Sequence, residues 1–278
     1  MLIPMKELNA KIPDLKSERT SIYYLNDSLL IKRFNRLNDI EKRDKLKRFE
    51  YIDTFSQIDG LSLPVDILET EKSFCGYVEN ILPGFLEGNL TDFSDYYNSN
   101  RESMTLEVIT SYILKCCDIV AECHKNDIVI PDMASVGNVL FDKVNKMVYF
   151  TDYQDMQVKD ISTNAQSSFI VIDPVINDSK YQNGSFYSKN IDLYTLAIRY
   201  VYYATKINLP AYMHYKYGDL DYLLYQSGLA DTYFGECIRV LYNKDKDNLD
   251  IREAIVDLNE KYEISKWEKG KSRVFIKK

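Results

Sequence analysis

The chain has 278 residues, a formal net charge of −7 at pH 7, five cysteines and two histidines. It is long enough to bury a sizeable core, its acidic balance disfavours an extended nucleic-acid interface, which needs a basic face, and no apolar run reaches the roughly 18 residues of a membrane span. An odd cysteine count without a C-x-x-C pair, and an N-terminus without a long apolar run, predict reduced thiols in a cytoplasm.

The first third of the sequence alternates between predicted strands and one predicted helix. The runs SIYYLND and SLLIKRF are rich in β-forming residues and are separated by an Asn-Asp pair typical of a hairpin turn. Residues 39–55 carry apolar side chains mostly at helical spacing, which predicts a helix. Two further strands are expected over residues 61–68 and 74–81. This part therefore predicts a small sheet with one helix.

The second half reads as mostly helical around a short polar centre. Apolar residues recur at three- and four-residue intervals from Leu106 to Cys123 and predict one helix leading into that centre. Three short β-rich runs follow, and Asp132, Asn138 and Asp152 stand beside them. Oxygen ligands gathered at strand ends suit Mg²⁺. The plainer interpretation of each residue alone is that Asp and Asn occupy turns.

The stretch from His124 to Asp152 resembles the catalytic core of the protein kinase superfamily. A kinase catalytic loop reads H-R-D-L-x-x-x-N and is followed by D-F-G on the next strand, and many members carry another His eight residues before the loop Asp. Here His124 precedes Asp132 by eight residues, and Asn138 and Asp152 follow. The sequence departs from the pattern in three places: Ile130-Pro131 replaces His-Arg, the interval from Asp to Asn is one residue longer, and D-F-G has become D-Y-Q.

The resemblance implies an ATP- and Mg²⁺-dependent phosphotransferase. In such an enzyme Asp132 would orient the acceptor hydroxyl and accept its proton, while Asn138 and Asp152 would hold Mg²⁺. These three residues are the predicted centre of the reaction.

One residue of the N-terminal part is implied to contact the phosphates, and a second is implied to brace it. Lys32, which follows Leu29, Leu30 and Ile31 in the second predicted strand, resembles the V-A-I-K lysine that contacts the α/β-phosphates. Glu50 lies eighteen residues later, near the separation of the glutamate that pairs with this lysine in kinases, and Glu41 on the same predicted helix is the alternative. Both acids also fit an ordinary solvent-exposed helix face.

The predicted strand over residues 74–81 resembles the kinase strand that flows into the hinge. By that alignment Val78 is the gatekeeper, and the backbone from Glu79 to Ile81 would offer hydrogen bonds to adenine. This assigns Val78, Glu79 and Ile81 to nucleotide binding.

Other parts of the pattern are altered. The segment DLKSERTS, residues 14–21, stands where kinases have a glycine-rich loop and contains no Gly. Either Lys16, Arg19 and nearby hydroxyls contact the phosphates instead, or nucleotide binding is weak or absent. Residues 152–190 occupy the place of an activation segment. Asp192 resembles the aspartate that caps the catalytic-loop backbone from a buried helix, a structural role.

The predicted fold is α+β, a two-lobed protein-kinase-like fold with a small antiparallel β N-lobe carrying one helix and a mainly helical C-lobe. Residues 1–82 form the predicted N-lobe and residues 83–278 the C-lobe, with the nucleotide in the cleft between them.

The favoured function is a divergent protein kinase that phosphorylates a hydroxyl acceptor, expected on a protein, with ATP and Mg²⁺ and with neither nucleic acid nor membrane as partner. Two alternatives stay open. One is a pseudokinase that binds nucleotide or protein without turnover. The other is a small-molecule kinase of the aminoglycoside or choline phosphotransferase type. The acceptor, the oligomeric state and the regulation have no signature in the sequence.

Overall fold

The computed structural model describes residues 15–16, 20–55, 58–69, 73–133, 135, 137–163, 181–209, 219–243, 249–266, 268 and 271–278. They form two compact units. The first comprises the described residues as far as Leu90 together with Tyr149–Gln154, and the second comprises Thr91–Val148 and the described residues from Asp155 onward. The sequence places the division at 82/83 and does not anticipate the return of residues 149–154 to the first unit. The fold is mixed α+β, as expected from the sequence, with a small antiparallel sheet and, over the described residues, seven helices.

The first unit is built on a five-stranded sheet. Its strands are β1 (Leu15–Lys16), β2 (Thr20–Tyr24), β3 (Leu29–Phe34), β4 (Pro64–Glu69) and β5 (Phe74–Asn80). Neighbours are antiparallel in the order β1-β2-β3-β5-β4. The predicted hairpin turn joins β2 to β3, where Asn26 Oδ1 accepts hydrogen bonds from the backbone N–H groups of Ser28 (2.8 Å) and Leu29 (3.0 Å). The Asn side chain thus closes the turn that the sequence indicated.

One helix, α1 (Asp39–Ile52), packs against this sheet. It begins at a reciprocal capping box in which Asn38 Oδ1 accepts from Glu41 N and Glu41 Oε2 accepts from Asn38 N, each at 2.9 Å. Phe49 of α1 stacks on Tyr77 of β5 with ring centroids 6.1 Å apart. A local cap and an aromatic contact together fix the helix on one face of the sheet.

Tyr149–Gln154 completes the first unit although it lies far along the chain. Phe150 N donates to Gly60 O at 2.6 Å, and Ser62 N donates to Phe150 O at 2.8 Å. Tyr153, which is buried, donates from its hydroxyl to the Arg48 carbonyl oxygen at 3.0 Å. These bonds hold Asp152, which lies between Phe150 and Tyr153, within the first unit.

The second unit is mainly helical. Its helices are α2 (Phe93–Ser99), α3 (Leu106–Lys125), α4 (Asn190–Thr205), α5 (Leu220–Gln226), α6 (Tyr233–Asn243) and α7 (Ile251–Lys261). The remaining strands are short: β6 (Leu90–Asp92), β7 (Ile128–Val129), β8 (Val139–Asp142), β9 (Val148–Phe150), β10 (Gln157–Val158), β11 (Gln182–Asn183), β12 (Phe186–Tyr187), β13 (Tyr262–Ile264) and β14 (Phe275–Lys277). β7 pairs with β10, β11 with β12, β13 with β14, and β6 lies beside β8. None of the helices in the described part of the chain has the length and apolar character of a membrane span.

Helix α3 is the long helix that the apolar spacing predicts between residues 106 and 123. Thr105 caps its N-terminus by accepting a hydrogen bond from Val108 N. Cys116, Cys117 and Cys123 are buried along it, and burial raises the pKa of the Cys116 thiol to about 12. The interpretation of these cysteines as core packing is confirmed by their burial.

An aromatic cluster fills the core beside the polar centre. Phe93 of α2 stacks on Tyr112 of α3, with ring centroids 3.6 Å apart, and meets Phe141 of β8 and Tyr203 of α4 edge-on at 5.2 and 5.0 Å. Such packing contributes both buried area and specific ring geometry. Since Phe141 lies three residues after Asn138, the cluster anchors the strand that follows the predicted catalytic loop.

Candidate active site

The predicted catalytic loop lies between β7 and β8 of the second unit and brings Asp132 and Asn138 together. Asn138 Nδ2 donates to the carbonyl oxygen of Asp132 (2.8 Å) and to its carboxylate Oδ2 (3.2 Å). Ser135 Oγ donates to the other carboxylate oxygen, Oδ1. Both oxygens of Asp132 therefore have a local donor that orients the carboxylate before any substrate is present.

Asp192, in the first turn of α4, holds the backbone that enters this loop. Its carboxylate oxygens accept hydrogen bonds from Ile130 N at 3.1 and 3.0 Å, and Oδ2 also contacts Nε2 of His124 at 2.8 Å. The side chain is fully buried, and this burial raises the pKa of Asp192, an effect that His124 and the Ile130 N–H oppose. The sequence prediction that Asp192 caps the loop backbone is confirmed by these bonds.

The loop carries one residue more than the kinase pattern, and Gly137 lies next to Asn138 in it. Its φ of +87° falls in the region that favours glycine. Gly137 N donates at 3.2 Å to Asp92 Oδ2, while Asp92 Oδ1 accepts from Ser94 N at 2.7 Å and caps α2. One carboxylate thus ties the loop to the start of a helix in the same unit.

In the first unit, Lys32 and Asp152 form an ion pair. Lys32 Nζ donates to Asp152 Oδ1, joining residues 120 positions apart in the sequence. Lys32 is buried, whereas the Asp152 side chain is 37% exposed. Asp152 has a φ of +62°, a conformation that Asp tolerates better than most residues. The chain therefore turns sharply just after β9, at the residue that meets the lysine.

The two candidate partners of Lys32 on α1 are engaged differently from the prediction. Glu50 is exposed near the end of the helix, and Glu41 accepts the bond from Asn38 in the capping box. The buried polar residues of α1 are instead Lys45 and Arg48. Lys45 Nζ lies 4.5 Å from the centre of the Phe34 ring, a cation–π contact. The structure thus does not bring Glu50 to Lys32.

The predicted hinge residues lie at the end of β5. Val78 pairs with Ile31 and is buried on the face of the sheet opposite to Lys32, so its side chain is not where a gatekeeper is expected. Glu79 pairs with Leu30. Burial raises the pKa of the Glu79 carboxyl, with Lys32 opposing the shift and Asp152 adding to it. Ile81 N donates to Ser28 O at 2.8 Å. This backbone N–H, which was predicted to bond to adenine, is therefore already engaged.

The segment that replaces the glycine-rich loop is described only in part. Lys16 is exposed in β1, opposite Ser21 of β2, and Arg19 lies outside the described residues. In the segment corresponding to an activation segment, Thr163 donates from its hydroxyl to the Asp155 carbonyl oxygen, and residues 164–180 lie outside the described part.

Asn138 of the second unit and Asp152 of the first unit each have side-chain oxygens of the kind that Mg²⁺ binds. Asn138 uses its amide nitrogen on Asp132, so its oxygen is not engaged in these two bonds. Asp152 offers a partly exposed carboxylate. Among the described residues, no group of three or more His, Cys, Asp or Glu side chains could hold a metal by itself.

Three of these site features were missed by sequence reasoning. Ser135 stands three residues after Asp132, a spacing at which a hydroxyl commonly bonds back to an aspartate, so the signal was present. Asp92 directly precedes α2, as N-cap residues do, but its second role on Gly137 has no local signal. The position of Glu79 on the Lys32 face depends on strand register, which the sequence leaves open.

Comparison of the chain with known protein families finds no matching family, and comparison with curated proteins finds no match.

Proposed function

We propose that the chain is a divergent, kinase-like phosphotransferase of two lobes that uses ATP and Mg²⁺. The observation that carries the proposal is the Lys32–Asp152 ion pair. A lysine from the middle strand of the sheet and an aspartate 120 residues later meet within one compact unit. These are the two residues that the resemblance assigns to the nucleotide phosphates and to the metal.

The catalytic loop supplies the second support. Asp132 is held by Ser135 and Asn138 in an orientation that leaves it intermediate in exposure. In the proposed reaction Asp132 orients the acceptor hydroxyl and takes its proton, while Lys32 contacts the α/β-phosphates. Asn138 and Asp152 would hold Mg²⁺, whose chemistry here is to neutralise charge on the phosphate oxygens. Such catalysis depends on positioning and charge stabilisation, so each residue is expected to matter by orders of magnitude in rate.

A pseudokinase is the second candidate, and one observation favours it. The Ile81 N–H is bonded to Ser28 O, so this predicted hydrogen-bond donor to adenine is already engaged. A transfer assay on protein and small-molecule hydroxyl acceptors, with Asp132→Ala as the inactive control, separates the candidates. Binding of ATP without transfer in any acceptor class supports the pseudokinase.

The test of nucleotide binding is thermal unfolding with and without ATP and Mg²⁺. A ligand at a hundred times its Kd stabilises the folded state by about 2.7 kcal/mol. We expect a magnesium-dependent rise in Tm for the wild type that Asp152→Asn abolishes. Asp59→Asn, an exposed carboxylate of the same unit, is the matched control and should keep the full rise. A wild type that shows no shift with any nucleotide contradicts the proposal.

A further inference from the structure

The face of the sheet that carries Lys32 can be derived from strand register. Residues directly opposite each other in antiparallel strands share a face, and residues two apart on one strand share it too. Lys32 lies opposite Tyr77, and Leu30 lies opposite Glu79, with no register shift between β3 and β5. Glu79 is therefore on the same face of the sheet as Lys32, one pair along the strands. It is the acidic residue that the described strands β2, β3 and β5 place there.

Electrostatic interaction agrees with this placement. The charges of both Lys32 and Asp152 act on the Glu79 carboxyl. The three groups therefore form one cluster within the first unit, with a single ammonium and two carboxylates. Asp152 takes the hydrogen bond in this structure.

Helix α1 covers this face, and its buried residues are the cations Lys45 and Arg48 and include no acid. Leu46 and Phe49 of α1 pack against Phe34, Phe74 and Tyr77 on the Lys32 face. The Tyr77 hydroxyl donates to the Lys45 carbonyl oxygen at 2.6 Å, and Lys45 and Arg48 are both buried. Lys32, Lys45 and Arg48 are thus all buried cations of the first unit, and a carboxylate near a buried cation offsets the cost of its burial. Glu50, exposed on the same helix, does not supply one.

We propose that Glu79 is the positioning residue of Lys32 and takes the role that the sequence assigns to Glu50. Lys32 has to leave Asp152 if that carboxylate is to bind a cation, and Glu79 then holds the ammonium on its side of the sheet, directed at the phosphates. The functional half of this inference rests on the proposed nucleotide binding. The charge interaction between Glu79 and Lys32 is present in the protein without nucleotide and can be tested there.

The first test is a double-mutant cycle on the full chain, read as Tm without nucleotide. Glu79→Gln should change Tm less favourably, by about 2 °C, in the wild type than in the Lys32→Met background, because only in the wild type does a buried ammonium lose a compensating charge. In the Lys32→Met background the same change should leave Tm unchanged or raise it, since the carboxylate there has lost its cation. Two control changes are Glu69→Gln, on β4 of the same sheet, and Glu50→Gln. Each control should change Tm by the same amount in the wild type and in the Lys32→Met background. An equal effect of Glu79→Gln in both backgrounds, or coupling of Glu50 to Lys32, overturns the inference.

A second measurement applies if Lys32→Met does not fold. The rate at which an acetylating reagent modifies Lys32, followed by peptide mass spectrometry at one pH, reports how strongly its ammonium is held. We expect this rate to rise about threefold in Glu79→Gln and to stay at the wild-type value in Glu50→Gln and Glu69→Gln. An unchanged rate in Glu79→Gln contradicts the pairing.

The functional arm measures Mg²⁺·ATP affinity of the same variants. Glu79→Gln should weaken binding about tenfold, a loss of about 1.4 kcal/mol, while Glu50→Gln should match the wild type. A wild type that does not bind ATP sinks the proposed function, and the cycle and the labelling rate still decide the pairing. Normal ATP binding by Glu79→Gln overturns the positioning role and leaves the proposed function intact.

Discussion

Asp192 shows at the scale of one residue how a buried carboxylate can organise a loop. It has no exposed surface, and its oxygens are shared between the Ile130 N–H and the His124 ring. Removal of one partner from a buried hydrogen-bonded charge typically costs more than the bond itself contributes. The backbone that enters the predicted catalytic loop is therefore held by this one buried side chain.

We predict that Asp192→Asn lowers the free energy of unfolding by about 1–2 kcal/mol near pH 5, because the amide can accept fewer of these hydrogen bonds. The pKa of Asp192 is raised above its unfolded value of about 3.9. Its contribution to stability is therefore complete below about pH 4 and is lost as pH rises through the raised pKa. The deficit of the variant should shrink between about pH 5 and pH 7.5.

Urea denaturation of both proteins at the two pH values measures this. Glu260→Gln, an exposed acid of α7, serves as the control and should show little deficit at either pH. A deficit of Asp192→Asn that grows with pH would mean that the carboxylate is stabilised by its partners more than burial disfavours it.

At the scale of elements, the close approach of β3 and β5 is the feature on which the Lys32 cluster depends. Gly76 of β5 lies opposite Arg33, and a Cβ built on it would lie 2.2 Å from the Lys32 carbonyl oxygen and 3.0 Å from the Arg33 Cα. Both are backbone atoms, so neither can move aside as a side chain tip would. Only glycine allows the two strands to pair at this point.

We expect Gly76→Ala to lower the free energy of unfolding by about 3 kcal/mol, the upper end of overpacking effects, because β3 has to shift at Lys32. Urea denaturation measures this, with Val65→Ala at an exposed position of β4 as the control, expected within about 0.5 kcal/mol of the wild type. A neutral Gly76→Ala would show that the strands separate easily there, and would weaken the case for a rigid Lys32.

The same sheet shows what could be predicted from the sequence. The strands were foreseeable because β-branched and aromatic runs flank a good turn pair, and Asp132, Asn138 and Asp192 were foreseeable because their spacing follows a known frame. The register between β3 and β5 could not be predicted, since a shift of one residue exchanges the faces of Val78 and Glu79 without altering the apolar pattern. The exposed position of Glu50 could not be predicted either. Helix α1 is charged around much of its surface, and its apolar spacing does not define the packed face sharply.

At the scale of the whole molecule, charge gives a further prediction. The chain has 42 acidic and 35 basic residues, hence the net charge of −7. Polyanion binding requires clustered basic residues that release counterions. We expect the protein to pass through a heparin column at about 0.15 M salt and pH 7, and not to retard duplex DNA on a gel. Retention that persists to higher salt would reveal a basic patch and contradict the exclusion of nucleic acid.

The return of Tyr149–Gln154 to the first unit has a consequence for synthesis of the protein. Phe150 supplies backbone bonds to Gly60 and Ser62, and Tyr153 donates to Arg48. A ribosome that has released only the first 90 residues has therefore not yet delivered every part of that unit. The first unit is complete only after the segment ending at Gln154 has been made, by which time α2, α3 and the predicted catalytic loop have also been made. Chains usually fold from the N-terminus as they emerge, but here the earliest segment to appear is completed by one of the later ones.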